Sequence, residues 1–289
     1  MDAPALPFKL EPLTPTFGAR ITGLRLATID DAAFAAVYQA WLDYGVLVFP
    51  GQFLSKEQQV EFTGRFGPLE FTIIPISNVR EDGRLREPDD AWVRVLKGNW
   101  NWHIDSTFVP IQSKGALVSA RVAPAEGGAT EWADMAGAYD ALPEAMKTRI
   151  EGLSAFHSLR RSQALVGDDY RAGPEHGGYG AETPPPLRPL VKVHPETGRR
   201  ALTIGRHAYG IPGLSEAESE ALLDELMDLA CRPQHLLAHP WRAGDAAMWD
   251  NRRTMHRGHP WDLSRPRVLY HTRIAGDPVT EFAPSPAQA

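Results

Sequence analysis

His103 and Asp105, within Asn101-Trp102-His103-Ile104-Asp105-Ser106-Thr107-Phe108, and the remote His256, within Met255-His256-Arg257-Gly258, are residue types that hold one metal ion together. Two imidazoles and a carboxylate on one face of an octahedral ion are the ligand set of non-heme Fe(II) oxygenases, and they leave the opposite face open for a chelating cosubstrate and O₂. Side chains two apart on a strand point the same way. A strand through His103 would therefore let His103 and Asp105 grip one ion while Ile104 faces away. The ordinary alternative is a histidine hydrogen-bonded to a nearby aspartate, which ten histidines in 289 residues make common. Against it stand Trp100, Trp102 and Phe108, apolar surroundings in which a carboxylate needs a partner or a metal.

The elements that must position these groups are short. Twenty-five prolines and 25 glycines break the chain into brief runs. Strands are predicted at Gly45–Phe49, Trp92–Leu96, Leu117–Val122, Leu190–Val193, Ala201–Ile204, Ala246–Trp249 and Arg267–Ile274, where apolar or alternating residues recur. His194-Pro195-Glu196-Thr197-Gly198-Arg199 reads as a hairpin turn. Helices are predicted at the margins: Asp30 caps a stretch to Tyr44, Ser55 and Gln58 form a capping box, and Ser215 and Glu218 form another before a helix reaching about Ala230. His256 follows Trp249-Asp250-Asn251-Arg252, a strand ending in a polar turn, which can present an imidazole at a barrel mouth. The architecture expected is mainly β, a barrel or sandwich with helices outside.

Composition narrows the function classes. With 43% hydrophobic and 23% charged residues, the chain can bury a full core as one domain, residues 1–289. The net charge is −6 and the 30 Lys and Arg are scattered, so nucleic acid is not an expected partner. Apolar runs are too short for a membrane span, and a secretory signal is not expected in the proline-broken stretch Met1–Arg20, which lacks an apolar h-region. A lone cysteine, Cys231, lies in an apolar helical pattern and suits a reducing cytoplasm. Residues 160–186, rich in glycine and proline, read as a long loop: a lid that excludes water from a reactive site, or an insertion.

The segments NWHIDSTF, GGATEWADMAGAYDALP, WDNRRTMHRG and RPRVLYHTRIAGD resemble the TauD/TfdA family of Fe(II)- and 2-oxoglutarate-dependent dioxygenases, from about Phe17 to Asp277. Within that family, RPLVKVHPETGR, IGRHA and PWDLSRPRVLYHTRIAG are most similar to the bacterial aryloxyalkanoate dioxygenases. The resemblance implies a double-stranded β-helix, or jelly-roll, core and a like-subunit oligomer. It implies His103, Asp105 and His256 as iron ligands. It also implies that Thr130, 25 residues after Asp105, and Arg267, eleven after His256, hold the distal carboxylate of 2-oxoglutarate. A guanidinium suits that task, because its planar fork can donate two charge-assisted bonds to one carboxylate. The implied cofactors are Fe(II), 2-oxoglutarate and O₂, and the implied substrate is a small anion.

Strand parity puts Arg267, Leu269, His271 and Arg273 on one face unless a bulge intervenes, which leaves His271 and Arg273 to hold a substrate anion. Taurine-type members carry Arg where His271 stands and His where Thr72 stands, and both departures argue against taurine. Phe71, Thr72 and Ile73 are candidates for an apolar substrate wall, with Asn99 and His207 as further contacts. The same chemistry on an alkyl sulfonate or sulfate ester, a zinc hydrolase built on the same triad, and a silent metal-binding barrel are the rival readings. A carboxylate clamp at Thr130 and Arg267 disfavours the last two.

Overall fold

In a computed structural model of the chain, residues 6–165, 167 and 183–285 are described. The first strands are β1 (Lys9–Pro12), β2 (Ala19–Thr22), β3 (Val46–Phe49), β4 (Leu69–Ser77), β5 (Gly115–Val122), β6 (Thr130–Asp134) and β7 (Ser154–His157). They are followed by β8 (Leu187–Pro189), β9 (Val191–Val193), β10 (Arg200–Leu202), β11 (Ala208–Tyr209), β12 (Leu236–His239), β13 (Ala246–Asp250), β14 (Thr254–Gly258) and β15 (Val268–Ile274). The helices are α1 (Asp31–Tyr44), α2 (Lys56–Gly64), α3 (Ala91–Gly98), α4 (Met135–Asp140), α5 (Glu144–Ile150), α6 (Leu159–Ala164) and α7 (Glu216–Ala230). None is long and apolar enough to cross a membrane.

Seven strands form a large sheet in the order β1-β2-β3-β13-β5-β15-β4, and β12-β6-β14 form a smaller one. Alternation along the strands builds layers on both sides of each sheet. On β13, Ala246 and Met248 pack with Trp41 and Phe62 of α1 and α2, whereas Ala247 and Trp249 pack with Trp132 of the small sheet. On β6 and β14, Trp132 faces the large sheet, while Ala133 and Met255 face Leu222 and Leu226 of α7. The order is therefore helix, large sheet, small sheet, helix, which is what period-2 burial on two apolar sheets requires.

The expected helix starts are present. Asp30 accepts from the Ala33 N–H at the start of α1, and Ser55 with Gln58 and Ser215 with Glu218 form complete capping boxes. Gly45 ends α1 in the left-handed region at φ 72°, and a Cβ there would stand 2.8 Å from Cδ of Arg253. The His194–Arg199 turn joins the antiparallel strands β9 and β10. One of the apolar runs differs. Trp92–Leu96 is not a strand but part of α3: the Asp90 carboxylate caps it by accepting from the Trp92 N–H. A short apolar run satisfies both periods, and here the cap decides.

Beneath α1, Arg253 forms a fork to Asp134, with Nε 3.1 Å from Oδ1 and Nη2 3.0 Å from Oδ2, and it also donates to the carbonyls of Asp43 and Thr16. Both side chains are buried, so removing one partner leaves a charge uncompensated. Asp134→Ala is expected to lower the unfolding free energy by about 3–5 kcal/mol in urea titration. A loss below about 1 kcal/mol would mean that the carbonyls around Arg253 compensate its charge without Asp134.

Candidate metal centre and its cavity

The two histidines meet through the backbone. The His103 N–H donates to the His256 carbonyl at 2.9 Å, and the His256 N–H donates to the His103 carbonyl at 2.8 Å, an isolated antiparallel bridge. His256 lies on the inward face of β14, the face opposite Met255, and its ring centroid is 4.2 Å from that of His103. The expected strand through His103 is absent: beyond the bridge the chain turns, and Ser106 sits at φ 60°. A turn rather than strand alternation thus places Asp105. Ile104 still faces the other way, into the core with Ala133 and Met255.

His103, Asp105 and His256 bring one donor atom each within 4.8 Å of one another, and all three are buried. Asp105 Oδ2 is 3.9 Å from His256 Nε2, too long for a hydrogen bond, and this buried oxygen has no hydrogen-bond partner. Convergent buried donors that do not bond one another fit a shared cation. His103 Nδ1 lies 2.8 Å from the Asn101 carbonyl, which suits a protonated Nδ1 and leaves Nε2 as the free donor. Burial lowers His103 to about 3 and His256 to about 4, so both rings are neutral at pH 7. Burial pushes the Asp105 carboxyl up, but Arg273, His256, His271 and His103 together outweigh it and hold the group below the usual carboxylate range.

Thr130 and Gly258 pair across β6 and β14, two residues along the same face from His256. The Thr130 hydroxyl oxygen accepts from Trp241 Nε1 at 2.9 Å, which leaves its proton to donate. Arg267 immediately precedes β15, is 4% exposed, and donates from Nε and Nη2 to the Gly128 carbonyl at 3.1 and 2.9 Å. No carboxylate pairs with it among the described residues, and burial alone depresses it to about 10. A buried guanidinium without a counter-ion is costly unless an anion arrives from outside the chain.

These groups share a cavity of about 450 Å³ whose wall includes both sheets and helices α3 and α6. Parity on β15 runs as expected: Arg267, Leu269, His271 and Arg273 line the cavity, while Tyr270 O and Thr272 Oγ1 accept from Gln59 of α2 on the outer face. His271 stacks on Trp249, and its Nε2, 3.9 Å from Asp105 Oδ2, is buried without a hydrogen bond. The opposing β4 carries a register shift, His271 pairing with Ile74 but Arg273 with Phe71. The extra β4 residue changes which side chains face inward. Phe71, Ile74 and Ile76 line the cavity, whereas Thr72 and Ile73, expected as wall residues, do not. Asn99 and His207 both line it, His207 with Nδ1 2.8 Å from Ser162 Oγ and its ring against Phe108.

Several wall residues carried no sequence signal of their own. Trp92, Val95 and Leu96 share one face of α3 at helical spacing and lead to the expected Asn99, a pattern hidden by reading that run as a strand. The expected loop at 160–186 begins inside α6, whose Leu159 and Gln163 line the cavity; apart from residues 165, 167 and 183–186, the remainder lies outside the described residues. Behind Arg273, Glu70 and Ser113 join a half-buried network from segments that no motif connects.

Residues 9–273 match the family described as taurine catabolism dioxygenase TauD, TfdA family. The chain is 53% identical to an (S)-phenoxypropionate/alpha-ketoglutarate-dioxygenase of Sphingobium herbicidovorans over 280 residues, covering 96% of this chain and 98% of that protein. It is 36% identical to the alpha-ketoglutarate-dependent 2,4-dichlorophenoxyacetate dioxygenase of Cupriavidus pinatubonensis, covering 93% and 98%. The crystal structure of AAD-2 in complex with Mn(II) and N-oxalylglycine superimposes with a TM-score of 0.87 at 36% identity, covering 93% of this chain and 97% of that one.

Titration of the metal-free protein with Mn(II) by calorimetry is expected to show one ion per chain. Asp105→Ala should weaken that binding at least about 100-fold, since it removes the only anionic donor of the three. Undiminished binding would rule out the centre described.

Proposed function

The chain belongs to the TauD, TfdA family, and on that premise we propose that it is an Fe(II)- and 2-oxoglutarate-dependent dioxygenase that oxidises an aryloxyalkanoate, releasing a phenol and a 2-oxoacid. The observation that carries the reading is the buried Arg267, without a carboxylate partner among the described residues, in the same cavity as His103, Asp105 and His256. In this reading the family's double-stranded β-helix core forms one catalytic domain.

His103, Asp105 and His256 would hold Fe(II), which would supply the coupled chemistry of O₂, one oxygen atom going to succinate as 2-oxoglutarate loses CO₂ and the other to the hydroxyl of the substrate carbon. Arg267 and the Thr130 hydroxyl hold the distal carboxylate of 2-oxoglutarate, the first by charge and the second by its free proton. Phe71, Ile74, Ile76 and Trp92 enclose the aryl ring in apolar surface and keep bulk water from the reacting carbon. His271 and His207 lie among that apolar wall as donors for the substrate acid. Hydroxylation of the carbon beside the ether oxygen gives a hemiacetal or hemiketal, which collapses to phenol and 2-oxoacid. Identity of 53% to a phenoxypropionate enzyme against 36% to a dichlorophenoxyacetate enzyme favours the 2-aryloxypropanoates within this class.

The test loads the protein anaerobically with Fe(II) and 2-oxoglutarate, admits O₂ with a panel of phenoxypropionate enantiomers, phenoxyacetates, taurine and an alkyl sulfate, and follows succinate and phenol. Succinate and phenol released in equal amounts with a phenoxypropionate is the expected result. Succinate coupled instead to an alkyl sulfate would replace the substrate, and none with any compound would refute the dioxygenase. Arg267→Ala is expected to raise the KM for 2-oxoglutarate by ~30-fold or more, because lost charge pairing in a buried site costs about 2–5 kcal/mol.

A further inference from the structure

We propose that Arg273 is a positioning residue for the metal-binding carboxylate: it holds Asp105 Oδ1, so that Oδ2 is the oxygen presented to the ion. Arg273 thereby leaves the list of substrate contacts. The inference deepens the reading of Asp105 as an iron ligand and rests on it.

The two oxygens of Asp105 stand in different surroundings. Oδ1 accepts from Arg273 Nη2 at 2.9 Å, whereas Oδ2 is buried without a hydrogen bond and 3.9 Å from both His256 Nε2 and His271 Nε2. A carboxylate with two free oxygens can clasp an ion through both and occupy an extra coordination position. One whose first oxygen is engaged by a guanidinium offers only the second. The face opposite the three ligands, needed by cosubstrate and O₂, then stays open.

Arg273 is itself held by its neighbours. Its Nη1 donates to Ser106 Oγ at 3.1 Å, and Ser106 Oγ in turn donates to Glu70 Oε2 at 3.2 Å. Ser113 also donates to Glu70, which ties the turn after Asp105 to β4. The guanidinium lies 5.4 Å from the Phe71 ring centroid, across the β15–β4 pairing of Arg273 with Phe71. Ser106, at φ 60°, occupies a left-handed conformation that a serine seldom adopts, and this network holds it there. The fork of Arg273 is thus engaged by Asp105 and Ser106. Arg267, six residues earlier and lining the same cavity, keeps no carboxylate among the described residues and is the arginine left for an incoming anion.

Mn(II) affinity by calorimetry separates positioning from substrate contact, since no substrate is present. Arg273→Gln, which stays polar but removes the charge and the fork, is expected to raise the Kd for Mn(II) by about 10- to 100-fold, with Arg273→Lys falling between it and the wild type. Wild-type Mn(II) affinity in Arg273→Gln, with the KM for phenoxypropionate raised instead, overturns the proposal and returns Arg273 to the substrate. Should Arg273→Gln not fold, Arg273→Lys decides: affinity equal to wild type overturns the proposal, because one ammonium cannot reproduce the two-armed grip on Asp105 and Ser106. Asp105→Ala runs alongside. If it too binds Mn(II) as the wild type does, the triad reading has failed; if it loses Mn(II) while Arg273→Gln does not, only this inference has.

Discussion

Two backbone hydrogen bonds between His103 and His256 carry the site. They join a turn to the inner face of the small sheet, and they fix the two imidazoles side by side before any metal arrives. A narrow antiparallel pairing leaves little freedom in Cα separation, so donor spacing is a property of the main chain more than of rotamers. The rest follows from alternation. Once His256 faces inward on β14, Gly258 and its partner Thr130 must face inward too, and Met255 must face the α7 layer. The large sheet then closes over them with Leu269, His271 and Arg273 from the inner face of β15.

Within this frame the buried charges are treated unequally. Asp105 has Arg273 on one oxygen and three histidines nearby, and those interactions outweigh the desolvation that would otherwise neutralise it. Arg267 has carbonyl oxygen and the Trp261 ring but no carboxylate among the described residues. Two other buried arginines are paired with carboxylates: Arg253 forks to Asp134, and Arg252 to Asp250 and Glu196. Arg267 differs from these two in being buried without such a partner among the described residues, which costs the chain stability at that position.

Some of this was legible without coordinates because it is local. Ser55 with Gln58 and Ser215 with Glu218 start helices through bonds three residues long, and the β15 face reads directly from period 2. Trp92–Leu96 was misread because a five-residue apolar run fits a strand as well as a helix, and only the Asp90 cap separates them. Thr72 and Ile73 were misplaced for a different reason: the bulge that turns Ile74 and Ile76 inward belongs to the pairing of β4 with β15 and not to either strand alone.

The amino-acid sequence by itself determined which chemistry was available: two histidines, a carboxylate, a threonine and an arginine in a fixed order, set among short strands and capped helices. Tertiary structure alone decided which of them meet. It brought His103 to His256, closed Arg273 onto Asp105, and buried Arg267 without a carboxylate partner among the described residues. The physical reason is range. Caps and strand parity are settled by neighbours a few residues apart, whereas partner choice and bulge position depend on the register of strands distant in sequence, which only the packed sheets establish.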